Sequence, residues 1–153
     1  MKVVINKCYG GFSISALAVK RIAELQGRAC YFYIYSGDNL IPIKIEDIQK
    51  SGSSLWSAYD IPDASSLRHK KAWSEMTDDE RHESNELHEK HSISERPDKR
   101  DDHILVRVVE ELGSGANGRS ANLEVVEIPD GVDYEVEEYD GMESIHEKHR
   151  AWG

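Results

Sequence analysis

The chain alternates between stretches whose apolar positions recur with a clear period and stretches that almost lack them. KVVINKCY, residues 2–9, is a short run rich in β-branched residues that predicts a strand, and GGFS at residues 10–13 breaks it. Ala16, Leu17, Val19, Ile22, Ala23 and Leu25 then fall on one face of a helix over about residues 16–26. Ser15 suits its N-cap, and Gly27 suits the left-handed position beyond its end. ACYFYIY, residues 29–35, follows as an aromatic-rich strand, which completes a β-loop-α-β unit.

Residues 36–100 lose this pattern. SGDN, QKSGSS and DIPDASS read as turns or loops, and residues 68–100 form a long charged, His-bearing segment. Within it Thr77 stands three residues before Glu80, the spacing of a capping box, so a polar helix of about residues 78–90 is expected. Its apolar face is nearly absent. The zone therefore reads as a solvated excursion or partly ordered insertion, about residues 65–100, carried by a single domain spanning 1–153.

Pattern returns at residue 101. Asp101 or Asp102 can cap a helix HILVRVVEEL whose Ile104, Leu105, Val108, Val109 and Leu112 make an apolar stripe, with Gly113 as its stop. The loop SGANGRSA precedes the strand LEVVEI. The turn Pro129-Asp130-Gly131 leads into VDYEVEEY, and the adjacency of the two runs suggests a hairpin. GMESIHEKHRAWG is expected to close the chain as a helix. The fold class is α+β: a small antiparallel or mixed sheet covered by two to three helices, with a polar His-rich insertion.

Composition refines this picture. A chain of 153 residues fits one domain and can bury an ordinary core without disulfide or metal. Its 29 Asp and Glu against 19 Lys and Arg leave a net charge of −10, which repels phosphate backbones and argues against duplex nucleic acid. A compact anion is compatible with it, because a few Arg side chains and N–H groups make a local positive pocket. Cys8 and Cys30 sit in strand-like runs and read as small buried hydrophobes rather than a redox or metal pair. The opening has no signal-peptide layout and no apolar run approaches ~18 residues, so no membrane partner is expected and the compartment is cytoplasmic.

Several segments carry a resemblance. Asn6-Lys7-Cys8-Tyr9-Gly10-Gly11-Phe12-Ser13, Ala116-Asn117-Gly118-Arg119, Glu127-Ile128-Pro129-Asp130 and Glu138-Tyr139-Asp140-Gly141-Met142-Glu143, with Glu147-Lys148-His149-Arg150 and Trp152, occur in an order that resembles a family of small bacteriophage proteins. The similarity covers about residues 1–35 and 101–153. It is to the anti-Thoeris "sponge" group, which sequesters the cyclic ADP-ribose-type signal of bacterial TIR immunity without cleaving it and in some members holds cyclic oligonucleotides. The resemblance implies a small anionic nucleotide-type ligand, no cofactor, a homo-oligomer and residence in the cytoplasm of an infected bacterial host. The His-rich segment around residues 69–100 departs from the compact pattern of that group.

Three segments are candidates for the ligand. Gly10, Gly11 and Phe12 lie between a strand and a helix, where N–H groups can hold phosphate, although they lack the spacing of a P-loop or dinucleotide fingerprint. A tight turn with Phe12 as a core anchor is the competing reading. In Asn117, Gly118 and Arg119 an amide can read a base or ribose edge, Gly permits close approach and Arg can grip phosphate, whereas Asn-Gly is also an ordinary turn. His149, Arg150 and Trp152 can stack an adenine and neutralise a pyrophosphate, or simply end a helix with cations at its negative pole. His146 and His149, like His88 and His91, are three apart, but no third ligand has metal spacing. Without a nucleophile elbow or a motif that places a base beside Ser or Cys, no catalytic residue is assigned. An enzyme acting on such a nucleotide, and a protein-binding inhibitor using its acidic surface, remain the alternatives.

Overall fold

The computed structural model describes residues 1–37, 39–52, 55–67 and 71–149. They form an α+β fold whose elements are, in chain order, β1 (Lys2–Asn6), α1 (Ala16–Leu25), β2 (Tyr31–Ser36), β3 (Asn39–Ile43), α2 (Ile45–Ser51), β4 (Trp56–Tyr59), α3 (Asp78–His91), α4 (His103–Leu112), β5 (Leu123–Glu127), β6 (Tyr134–Tyr139) and β7 (Met142–Glu147). The strands pair antiparallel in three small sheets, β1-β5, β3-β2-β4 and β6-β7. Two compact units result, residues 1–25 with 95–153, and residues 26–94. Among the described residues no helix is long and apolar enough to cross a membrane.

In the first unit Val3, Val4 and Ile5 of β1 are buried on both faces of the strand. α4 packs against α1, β1 and β5, contributing Leu105, Val106, Val108 and Val109, and α1 contributes Ala16, Ala18, Val19 and Ala23. Each large side chain removed from water here stabilises the unit by roughly 1.5–3 kcal/mol. Both helices begin as their sequences predict. The Ala18 N–H donates to Ser15 Oγ at 3.1 Å, and Asp102 Oδ1 accepts from the Ile104 and Leu105 N–H groups at 3.0 and 3.1 Å.

The C-terminal half corrects two expectations. LEVVEI does not pair with VDYEVEEY. β5 instead pairs with β1, with Val4 opposite Val125, and β6 pairs with β7, with Tyr139 opposite Met142. The expected closing helix is thus a strand over Met142–Glu147, and the helical spacing of His146 and His149 goes with it. The physical reason is Asp140-Gly141. Both residues have positive φ, 50° and 88°, as a two-residue hairpin turn requires, and Asp-Gly between alternating runs is the strongest short hairpin signal.

In the second unit the turn-like stretch after residue 36 holds β3, α2 and β4, none of which the apolar pattern announced. Pro42 disguises β3, and a proline is tolerated there because β3 is an edge strand. Tyr33, Tyr59, Ala64 and Leu67 form a small core with Leu40 and Ile61 packed on it, and the Tyr33 hydroxyl donates to the Ile61 carbonyl at 2.9 Å. α3 starts at the expected capping box. The Glu80 N–H donates to Thr77 Oγ1 at 3.2 Å and the Thr77 N–H to Glu80 Oε1 at 3.4 Å. None of the α3 residues is buried.

Candidate functional site

Two of the three candidate segments meet. The Gly118 N–H donates to the Ser13 carbonyl at 3.0 Å, and Ile14 and Asn117 form an antiparallel bridge. The approach is so close that glycine is required: a Cβ on Gly10 would collide with the Ser120 backbone carbonyl, and one on Gly118 with the Ser13 side chain and backbone. The β6-β7 turn joins the same place, since a Cβ on Gly141 would strike the Gly11 backbone. Asn117 is oriented by its bond to β5, its Oδ1 accepting the Leu123 N–H at 2.9 Å. Arg119 is exposed.

Phe12 is 8% exposed, so it is the core anchor of this junction. Its ring is covered by the Arg100 guanidinium, whose Cζ lies 3.3 Å from the ring centroid. His149 is exposed and follows β7 rather than ending a helix. Arg150 and Trp152 lie outside the described residues.

Beneath the junction sits a polar hub that sequence reasoning did not find. Glu143 is 5% exposed and receives Arg100 on both oxygens, Nη1 at 2.7 Å and Nη2 at 2.8 Å. Its Oε2 also accepts the Asn6 N–H at 2.9 Å. Asn6 is wholly buried; its amide donates to the Cys8 and Gly141 carbonyls at 2.8 and 2.7 Å and accepts the Asn122 N–H at 2.8 Å. Every lone pair these bonds satisfy would otherwise cost about 1–3 kcal/mol in the interior. Asn6 and Glu143 stood within the motif-bearing segments, but nothing in a strand pattern marks a carboxylate that turns inward. Arg100 belonged to the charged run DKRDD and read as solvated.

A cleft of about 470 Å³ opens beside the hub, lined by Arg100, Glu143, Asp98, Asp101, Tyr134 and Glu138 among others. Burial pushes the Tyr134 hydroxyl up, and Asp101 adds to the shift as a neighbouring charge and hydrogen-bond partner while Arg100 opposes it. With Arg100 neutralised by Glu143, the cleft rim favours a cation over an anion.

In the second unit Asp60 accepts from Arg28 Nη2 at 3.0 Å and lies 2.8 Å from His91 Nδ1. Burial alone would raise its carboxyl, but the hydrogen bonds and charges of His91 and Arg28 together hold it below the usual carboxylate value. Among the described residues no group of three His, Cys, Asp or Glu is placed to hold a metal ion. No family model matches this chain, and neither a curated protein nor a solved structure does.

Proposed function

We propose that this chain sequesters a small anionic nucleotide-type signal without cleaving it, as a phage-encoded anti-defence protein of the host cytoplasm. The observation that carries this reading is the meeting of the 10–13 and 117–120 loops, which are a hundred residues apart in sequence yet joined by the Gly118 to Ser13 bond. The junction gathers two glycine-bearing loops, whose remaining backbone N–H groups can meet a phosphate, with Arg119 at the rim for a charge-assisted contact. Its sharpest test is titration calorimetry with cyclic ADP-ribose-type and cyclic oligonucleotide ligands. Arg119→Ala removes a contact of about 1.5–3 kcal/mol and lowers affinity roughly ten- to a hundredfold, while the thermal transition stays in place. Wild-type affinity in that variant sinks the site.

The acidic cleft rim favours a second reading, a protein-binding inhibitor that receives cationic side chains of its target. Incubation with nucleotide followed by heat denaturation separates the readings. A sponge returns the ligand unchanged, an enzyme returns product, and a protein-binding inhibitor never depletes it.

A further inference from the structure

An unpaired strand edge is a template for another strand, and proteins blunt such edges with prolines, inward charges or covering segments. The register of β1 on β5 determines which backbone groups face outward. Met1 and Ile128 exchange both bonds, Ile128 N–H to Met1 at 2.8 Å and the reverse at 2.8 Å, and Lys7 N–H reaches the Asn122 carbonyl. Residues 3 and 5 of β1 therefore bond across to 126 and 124 of β5, and the alternate residues point away. On the β1 side the outward amides are covered: Val4 N–H donates to the Arg100 carbonyl at 2.9 Å and Asn6 N–H to Glu143. On the β5 side Leu123 N–H is taken by Asn117, but the outward N–H and C=O groups of Val125 and Glu127 have no partner among the described residues.

Both edges of the three-stranded sheet carry blockers that β5 lacks. β3 holds Pro42, and β4 is capped by Ile93 N–H on the Ala58 carbonyl at 2.8 Å. β5 reads Leu-Glu-Val-Val-Glu, with no proline, lysine or bulge. A two-stranded sheet is itself marginal.

We infer that the open edge of β5 pairs antiparallel with β5 of a second copy, joining two β1-β5 sheets into one of four strands. The pattern is self-complementary. A two-fold axis at Val125 or Val126 sets every Glu of one copy against an apolar residue of the other. Axes at Glu124 or Glu127 oppose like charges, and axes at Leu123 or Val125 need the Leu123 N–H that Asn117 already holds. In the Val126 arrangement Val125 and the partner's Glu127 exchange both bonds, which uses the open groups of both residues. This interface does not depend on the nucleotide reading, because it uses the strand edge and not the loop junction.

Amide exchange measured by NMR, with sedimentation velocity, tests it from sub-micromolar protein to roughly 100 µM. The Val125 and Glu127 amides should slow at least tenfold as the protein dimerises, while Glu124 and Val126 are protected throughout. Added salt should strengthen the dimer, since each copy carries a charge of −10. Glu127→Pro removes an outward N–H and no β1-β5 bond, so it should give a folded monomer by circular dichroism. Glu127→Gln keeps the N–H and should dimerise. Protection that does not vary with concentration would mean that part of the same chain covers the edge, and would overturn the inference. So would fast exchange of both amides at every concentration, protection in a chain that stays monomeric until a foreign peptide is added, or a Glu127→Pro variant that still dimerises.

Discussion

Arg100 and Glu143 show what a single buried pair does here. The two-oxygen grip and the Asn6 N–H leave the Glu143 carboxylate fully bonded at 5% exposure. Glu143→Ala strands a guanidinium that is only 19% exposed, and breaking such a pair costs about 3–5 kcal/mol. Urea denaturation should show that loss, and Glu143→Gln, which keeps an acceptor for Asn6, should lose less. The glycine junction makes a second residue-level claim. In Gly118→Ala the new methyl meets the Ser13 backbone as well as its side chain, so about 1–3 kcal/mol should be lost to overpacking. A thermal transition equal to wild type would mean that the loops are not in contact. Gly10, Gly118 and Asn117 were legible as special positions in the sequence, because glycine and Asn-Gly are local signals. Arg100 and Glu143 were not, because their roles depend on each other across 43 residues.

At the scale of elements, Tyr59 on β4 gives a pH dependence of definite sign. Burial, then the neighbouring Tyr35, push its hydroxyl up to about 12 from an ordinary value of 10.0. A raised value in the folded state means that folding favours the neutral phenol. Its contribution, on the order of 2 kcal/mol, is fully present below pH 10 and disappears as pH rises towards 12. Thermal melts across that range should fall more steeply for wild type than for Tyr59→Phe; parallel curves would refute the assignment. α3 rests on different terms, for it buries none of its residues. Thr77→Ala removes its capping box and should cost the helix about 1 kcal/mol, read as faster amide exchange in its first turn while β2 and β4 are unchanged.

For the whole molecule the net charge decides how salt acts. Exposed pairs such as Lys2 with Glu110 and Arg21 with Glu111 contribute little, and salt weakens them. Against them stand ten unbalanced negative charges whose mutual repulsion salt also screens. The repulsion is the larger effect, so at sub-micromolar protein the urea midpoint should rise between low and physiological ionic strength. A midpoint that falls instead would show that the ion pairs dominate.

Sequence alone determined whatever depends on neighbours along the chain. The α+β class, α1 with Ser15 and Gly27, α3 with Thr77, α4 with Asp102 and the strand character of β1, β2 and β5 follow from period and caps, which act within a turn or two. Even the β6-β7 hairpin was written locally, in Asp140-Gly141, and was overlooked because Glu, His and Lys in the following residues fit a helix as well. Tertiary structure decided the pairings. β1 takes β5 from the far end of the chain because apolar side chains on both its faces need cover and an edge partner, and period-two patterning names no partner. For the same reason only the fold could turn Glu143 inward to Arg100 and leave the amides of Val125 and Glu127 facing out.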